Sequence, residues 1–325
     1  MNRPFLLRPS GKDYLWGGRR LNDEFEKRIP LSPLAETWEC STHPHGPCYV
    51  VGGEFDGMTL AQVIREHPGF LGRRYRNETE LPILIKFIDA KQDLSVQVHP
   101  TDEFARLHEP GQRGKTEMWY VLDAGKDASV LYGLRHDVTR QELEGMLSDG
   151  SVLRVLQRVK IRKDDVFLVE AGTIHAIGAG ALVAEIQENS NLTYRLYDYD
   201  RVDKDGKKRP LHIDQGLRAA KLTGSAEPRQ PLRVLNYRQG MALELLCRCK
   251  YFQVYRMILN TERRQRVSYR AEELSFRVLL CVNGCGILQF ENEQILFYKG
   301  DCIFVPADSL ELELHGQAQF LDVRG

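Results

Sequence analysis

Short alternating runs of apolar and polar residues dominate this sequence and constrain its fold more than any other feature. Runs such as LPILIKFIDA, TEMWYVLDA and LTYRLYDY are rich in β-branched and aromatic residues, and Gly, Asp and Asn separate them. Runs of this length and composition predict short β-strands joined by turns. We therefore expect a mainly β chain that closes into a sandwich or barrel.

Three segments depart from this pattern and have apolar residues at helical spacing, namely residues 59–67, 137–150 and 212–222. The second is the clearest, because Thr139 and Glu142 have the spacing of a capping box and a glycine follows as a stop. A few short helices are thus expected beside the strands.

A weak internal repeat refines the fold class. Residues 164–175 (DDVFLVEAGTIH) can be aligned with residues 300–311 (GDCIFVPADSLE), and His175 then matches Glu311. A strand, a tight turn and a second strand carrying histidine resemble the second half-motif of a cupin jelly roll. Two copies imply a double-barrel, cupin-like jelly roll. Because Glu311 stands where a histidine is needed, a metal site is expected in the first barrel only.

The segment TGSAEPRQPL (223–232) is polar and contains two prolines, a composition typical of linkers. It predicts one domain over residues 1–230, with the metal-bearing barrel and helical insertions. A smaller barrel without a metal site is expected over residues 231–325.

The charge and the hydropathy of the sequence limit the kinds of partner that we expect the protein to bind. Lys plus Arg and Asp plus Glu number 45 each, so there is no basic excess for nucleic acid or an anionic membrane surface. No run approaches the ~20 apolar residues that span a bilayer, and the N-terminal residues lack the apolar core of a secretory signal. We expect a cytoplasmic protein that binds neither nucleic acid nor membrane.

Gln97 and His99 occupy alternate positions of the run LSVQVHP. Side chains two apart in a strand point to the same face, so these two share one face and the intervening valines share the other. The pair is compatible with a strand edge that faces water. The alternative is that the pair supplies two ligands of one metal ion, which these residues alone do not favour.

Further polar residues favour the metal interpretation. Glu117 lies at the start of the run TEMWYVLDA, and His175 follows an Ala-Gly turn. Two imidazoles, a carboxylate and an amide oxygen suit zinc, iron or manganese. Ser95, two residues before Gln97, shares its face.

Longer stretches around these residues resemble a known family. LPILIKFIDAKQDLSVQVHP, GKTEMWYVLDA, VEAGTIHAIGAGALVAEIQENSNLTYRLYDYDR and RPLHI resemble the motifs of the short bacterial form of type I mannose-6-phosphate isomerase, also called phosphomannose isomerase. The blocks WGGRRL and AETWE resemble the opening blocks of that family. The resemblance is densest over residues 80–215 and thins past about residue 235.

This resemblance implies a zinc-dependent aldose–ketose isomerase that interconverts mannose 6-phosphate and fructose 6-phosphate, with one ion per chain. The family motifs QVHP, KTE and GTIHA imply four protein ligands: Gln97, His99, Glu117 and His175. One departure is Glu170, where the family's turn begins with proline. It replaces a rigid residue but removes no ligand.

The resemblance also implies three catalytic residues. Arg195 matches the family's active-site arginine, Lys115 its lysine, and Glu185 its acidic residue ten places before the arginine. Arg195 and Lys115 would stabilise the charge of an enediolate or anchor the phosphate. Ser95 would contact the phosphate or only the backbone, and Lys86 would contact the phosphate or be a solvated strand lysine. Lys115 is alternatively the base, if neighbouring cations lower its pKa. Glu185 is either the proton-transfer group or an orienting partner for a cation.

Two other functions use a similar site. A catalytically idle cupin that only binds sugar phosphate would keep the metal ligands, but the intact Lys115, Glu185 and Arg195 argue against it. An iron-dependent oxygenase normally has two histidines, one carboxylate and open positions, and Gln97 as a fourth ligand argues against it. The expected partner is a hexose 6-phosphate, and the chain is expected to be a monomer or homodimer.

Overall fold

The structure, a computed structural model, describes residues 1–325 except 204, 230–232 and 263–264. Strands form most of its regular structure, which confirms the mainly β expectation. In chain order the first thirteen strands are β1 (Phe5–Arg8), β2 (Ser10–Lys12), β3 (Glu36–Cys40), β4 (Tyr49–Val51), β5 (Ile83–Ala90), β6 (Val96–Val98), β7 (Glu117–Ala124), β8 (Ser129–Leu134), β9 (Leu156–Lys160), β10 (Val166–Val169), β11 (His175–Ile177), β12 (Ala181–Glu188) and β13 (Tyr194–Tyr197). The remaining strands are β14 (Leu235–Arg238), β15 (Met241–Arg248), β16 (Gln253–Asn260), β17 (Val267–Tyr269), β18 (Arg277–Phe290), β19 (Glu293–Tyr298), β20 (Cys302–Val305) and β21 (Leu312–Arg324).

The described residues include five α-helices: α1 (Arg20–Asp23), α2 (Leu60–Glu66), α3 (Asp102–His108), α4 (Arg140–Ser148) and α5 (Ile213–Ala219). Short 3-10 turns are found at Pro68–Leu71, Arg73–Tyr75 and Ser151–Arg154. No helix in these described residues is long and apolar enough to cross a membrane.

The three predicted helices are present as α2, α4 and α5. At the start of α4, Thr139 accepts a hydrogen bond from the backbone N–H of Glu142, whose side chain accepts one in return from the N–H of Thr139. This is the predicted capping box. Helix α3 was not predicted, because only Ala105 of its seven residues is buried and the segment lacks an apolar stripe.

Two sheets in the first part of the chain form the barrel that carries the predicted site. The six-stranded sheet has the order β10-β7-β12-β5-β3-β2, and the five-stranded sheet has the order β13-β6-β11-β8-β9. They pack against each other through one cluster that contains Trp119 and Val121 from the first sheet and Val130 and Ile177 from the second. Side chains on the facing surfaces of β6, β7 and β11 therefore point into the same interior.

The six-stranded sheet is buried on its other face as well. Ile85, Phe87 and Met118 belong to a second cluster that includes Val278 and Phe304 from the C-terminal part of the chain. Burial on both faces explains why β5 reads as the nearly continuous apolar run LPILIKFIDA.

The third sheet has ten strands, in the order β14-β15-β16-β21-β18-β20-β1-β4, with β17 paired to β21 and β19 paired to β18. Its interior cluster contains Leu279, Phe297 and Phe320. Two strands near the N-terminus complete it, because β1 pairs with β20 and with β4. The predicted domain boundary between residues 230 and 231 lies outside the described residues and stays a prediction.

Candidate metal centre

Gln97 lies in the five-stranded sheet, between two residues of the predicted site. In β6 it is in register with His175 of β11 on one side and with Arg195 of β13 on the other. Glu117 begins β7 in the opposing sheet. Antiparallel pairing within one sheet and packing between two sheets thus bring together residues that are far apart in sequence.

The four predicted ligands converge. Nε2 of His99 lies 3.3 Å from Oε2 of Glu117, and Nε2 of His175 lies 3.3 Å from Oε1 of the same carboxylate. The side-chain amide nitrogen of Gln97 lies 3.4 Å from Nε2 of His175. Ligand atoms of His99, Glu117 and His175 all lie within 4.8 Å of one another.

Backbone carbonyls fix the orientation of both imidazoles. Nδ1 of His99 lies 3.0 Å from the carbonyl oxygen of Leu192, and Nδ1 of His175 lies 2.8 Å from that of Thr173. Because a carbonyl only accepts, each Nδ1 carries the proton and donates it. In the neutral rings, Nε2 of each histidine then presents a lone pair to Glu117, the arrangement of metal-binding histidines.

The turn before β11 supports this geometry. Gly172 has φ of +87°, a left-handed conformation that glycine adopts without strain, and its N–H donates to the carbonyl of His99 at 2.8 Å. The turn that orients His175 is thus tied directly to the other histidine. The Glu170 that replaces the family's proline pairs with Lys221 at 2.8 Å, away from the ligands.

Electrostatics keep the donor atoms unprotonated at neutral pH. Burial, and then the charge of Lys115, lower the pKa of His99 to about 3, and burial also lowers the pKa of His175. Burial alone would raise the pKa of Glu117, but the Lys115 ammonium and the histidines outweigh it and hold that pKa well below its usual range. A carboxylate therefore faces two imidazole lone pairs.

Nε2 of His99 and Oε1 of Glu117 are buried and lack a hydrogen-bond partner within the described residues, while the equally buried Oε2 of Glu117 forms an ion pair with Lys115. Buried polar atoms are normally paired, and lone pairs that face each other at this distance repel. A cation at their centre satisfies all of these atoms together. The residues present therefore fit a divalent metal ion.

A chain of buried charges continues from the ligands. Nζ of Lys115 lies 2.8 Å from Oε2 of Glu117 and 3.7 Å from Oε1 of Glu185. Nζ of Lys86 lies 3.4 Å from the same Glu185 oxygen and 3.7 Å from Oε2 of Glu36. Lys86 is only 4% exposed, so it is not the solvated strand lysine that was one sequence-based alternative.

These contacts set the protonation of the chain of charges. Burial, and then the negative charge of Glu117, raise the pKa of Glu185. Burial alone would lower the pKa of Lys86, but the carboxylates of Glu36 and Glu185 outweigh burial and raise it. Alternating positive and negative groups thus compensate the cost of burying each one.

Arg195 and Ser95 lie together beside Gln97. Nε of Arg195 donates to Oγ of Ser95 at 3.3 Å, and a second nitrogen donates to the carbonyl of Pro210 at 2.9 Å. Burial, and then the nearby Arg209, lower the pKa of Arg195. Both predicted residues are therefore adjacent to the ligand strand.

Two residues of the site were missed by the sequence reasoning. Glu36 pairs with Lys86 and accepts a hydrogen bond from Nε1 of Trp38 at 2.8 Å. Trp119 donates from Nε1 to Oε2 of Glu185 at 3.1 Å, and its ring meets His175 edge-on, with centroids 5.5 Å apart. The block AETWE, which resembles an opening block of the family, contains Glu36 and was its signal. Trp119 belongs to the run TEMWYVLDA, a position that predicts core or pocket wall and gives no sign of its hydrogen bond to Glu185.

Comparisons with known proteins show which family this chain is similar to. Residues 5–130 match the model of the phosphomannose isomerase type I catalytic domain, and residues 242–324 match that of the mannose-6-phosphate isomerase cupin domain. The mannose-6-phosphate isomerase ManA of Bacillus subtilis (strain 168) is 36% identical, with 97% of each chain covered. That of Streptococcus mutans is 33% identical, over 99% of this chain and 98% of its own. The crystal structure of the mannose 6-phosphate isomerase from Bacillus subtilis superposes with a TM-score of 0.90 at 33% identity, covering 99% of both chains.

Proposed function

Because the chain belongs to the type I mannose-6-phosphate isomerase family and is an isomerase of that class, we propose that it interconverts mannose 6-phosphate and fructose 6-phosphate through an enediolate, with one bound divalent metal ion. The observation that carries this proposal is the convergence of buried ligand atoms from His99, Glu117 and His175 within 4.8 Å of one another. The cupin-like double barrel supplies the two facing sheets that hold them.

Gln97, His99, Glu117 and His175 would hold the ion. For Gln97 the amide oxygen has to face it, which a half-turn of the amide achieves, since oxygen and nitrogen occupy nearly equivalent positions. Imidazole nitrogen with carboxylate oxygen in a set of four ligands suits zinc best, and we propose Zn²⁺ as the resident ion. When bound, the ion supplies Lewis acidity that stabilises negative charge developing on the sugar oxygens.

Glu185 is the proposed proton-transfer group. Its carboxylate takes the proton from C2 of mannose 6-phosphate and returns it to C1 to give fructose 6-phosphate, while a second proton passes from the C2 hydroxyl to the C1 oxygen. Its raised pKa makes it a stronger base than an ordinary carboxylate. Trp119 donates a hydrogen bond to one carboxylate oxygen of Glu185, and the other oxygen faces the ammonium groups of Lys86 and Lys115.

Lys115 is better suited to charge stabilisation than to the role of base. Its Nζ forms an ion pair with the Glu117 carboxylate at 2.8 Å, which holds the cation in place beside the proposed metal site. An ammonium held next to the reacting carbons stabilises the enediolate without reorganising during the reaction.

Arg195, Ser95 and Lys86 are the proposed contacts of the phosphate and the sugar hydroxyls. The Arg195–Ser95 hydrogen bond puts a guanidinium and a hydroxyl side by side next to the ligand strand. Guanidinium and hydroxyl donors match phosphate oxygens. Lys86, held between two carboxylates, would contribute mainly by balancing the charge of Glu185.

One experiment tests this function and its mechanism together. The metal-loaded protein is incubated with mannose 6-phosphate in ²H₂O, and the products are followed by NMR. We expect fructose 6-phosphate with deuterium at C1, because the proton on Glu185 exchanges with solvent during the enediolate's lifetime. Fructose 6-phosphate without any deuterium, even after incubation long enough for each molecule to be interconverted many times, would indicate hydride transfer and contradict the enediolate. Bound mannose 6-phosphate without turnover, whichever metal is supplied, would instead indicate the idle binding protein.

A further inference from the structure

The backbone segment 114–116 leads directly into Glu117 and is held by three successive N–H groups. The first donates to Oδ1 of Asp102 at 3.2 Å, the second to the carbonyl of Pro100 at 3.0 Å, and the third to Oε1 of Glu188 at 2.8 Å. Two carboxyl groups and one carbonyl therefore fix the backbone from which Lys115 and Glu117 project.

The two carboxyl groups that hold this segment also influence each other electrostatically. Burial, and then the charge of Asp102, raise the pKa of Glu188 to about 8. The pKa of Asp102 is lowered, because its hydrogen bonds outweigh the effect of burial.

The second oxygen of Asp102 is held from the C-terminal part of the chain. The hydroxyl of Tyr251 donates to Oδ2 of Asp102 at 2.8 Å, and Nζ of Lys250 lies 3.4 Å from the same oxygen. Both residues lie in the turn between β15 and β16. Asp102 thus connects the C-terminal sheet to segment 114–116 through its two oxygens.

We propose that Tyr251 is a positioning residue for the isomerisation: through Asp102 it fixes segment 114–116, and with it the side chains of Lys115 and Glu117. The C-terminal part of the chain then contributes to the rate without touching the substrate. This inference rests on the proposed function, since it assumes that Lys115 and Glu117 act in catalysis. Displacements of a catalytic side chain by less than the length of a covalent bond already change reaction rates. The contact between Tyr251 and Asp102 therefore affects turnover more than substrate binding.

Tyr251→Phe tests this role, because it removes only the hydroxyl. In the full-length metal-loaded protein we expect kcat to fall about tenfold, with KM for mannose 6-phosphate changing by less than about twofold. The matched control is Tyr269→Phe. The Tyr269 hydroxyl donates to Asp322 at 2.8 Å within the C-terminal sheet, so its loss should lower the melting temperature and leave kcat unchanged.

Hydrogen exchange of the amides in segment 114–116 gives a readout that does not depend on activity. Exchange should accelerate in Tyr251→Phe and stay unchanged in Tyr269→Phe. Combining Tyr251→Phe with Asp102→Asn should lower kcat by less than the product of the single effects, because both act through one contact. Unchanged kcat and unchanged exchange in Tyr251→Phe would overturn the inference. A different result is also informative: the wild-type protein has no isomerase activity, yet Tyr251→Phe accelerates exchange. This result would refute the proposed function, while the role of Tyr251 in holding segment 114–116 would stand.

Discussion

Glu117→Gln and His175→Ala should each abolish both bound metal and isomerase activity, with kcat at least about 10³-fold lower. Glu117 is the only anionic residue among the four proposed ligands, and both of its oxygens face the histidines. A neutral amide at this position leaves a divalent ion uncompensated in a buried site. His175→Ala removes the imidazole whose orientation is fixed by Thr173. Elemental analysis and the coupled assay on the same samples measure both effects.

The matched control for Glu117→Gln is Glu39→Gln. Glu39 is also fully buried and pairs with Lys27 at 2.7 Å, but it is not among the proposed site residues. Its substitution should destabilise the fold while bound metal and kcat stay at wild-type levels in the folded fraction. A Glu117→Gln protein with one bound ion and near-normal kcat would contradict the ligand assignment.

Glu185→Gln should lower kcat by about 10²–10⁴-fold, the usual contribution of a positioned acid–base group. Bound metal and KM for mannose 6-phosphate should change little, because the amide keeps the shape of the carboxylate and can still accept from Trp119. Steady-state kinetics, metal analysis and the rate of deuterium incorporation from ²H₂O measure these quantities.

This variant also separates the two roles that the sequence left open for Glu185. A residue that merely orients Lys86 or Lys115 would lose only a few-fold in kcat on neutralisation, and deuterium would still enter at C1. A loss below about tenfold with normal deuterium incorporation would therefore contradict Glu185 as the proton-transfer group.

Local patterns in the sequence predicted much of the fold because alternation and capping are local properties. Short runs of alternating or β-branched residues identified the long strands β5, β7 and β12, and the Thr139 capping box located α4. Helix α3 was not predicted, because a short and mostly exposed helix has no apolar stripe that would reveal it. The pairing of β1 with β20 was not predicted, because the sequence of a strand does not identify a partner that is far away in the chain.

At the site, too, local patterns were readable from the sequence, whereas contacts between distant strands were not. Alternation in the run LSVQVHP indicated that the side chains of Ser95, Gln97 and His99 share one face of the strand. It could not show that this face points into the interior of the barrel. The family resemblance supplied most of the remaining residues. Glu36 and Trp119 were missed because their roles arise only when β3, β5, β7 and β12 pair, which brings both next to the Lys86–Glu185 pair.

The requirement for a bound ion at Gln97, His99, Glu117 and His175 is the central claim, and removal and replacement of that ion test it most directly. The protein is dialysed against a chelator, its metal content is measured, and zinc is added back in steps while isomerisation of mannose 6-phosphate is assayed. We expect activity to fall below a few per cent of the starting rate and to return in proportion to zinc, reaching a plateau at about one ion per chain. Full activity in protein shown to be free of metal would contradict the claim.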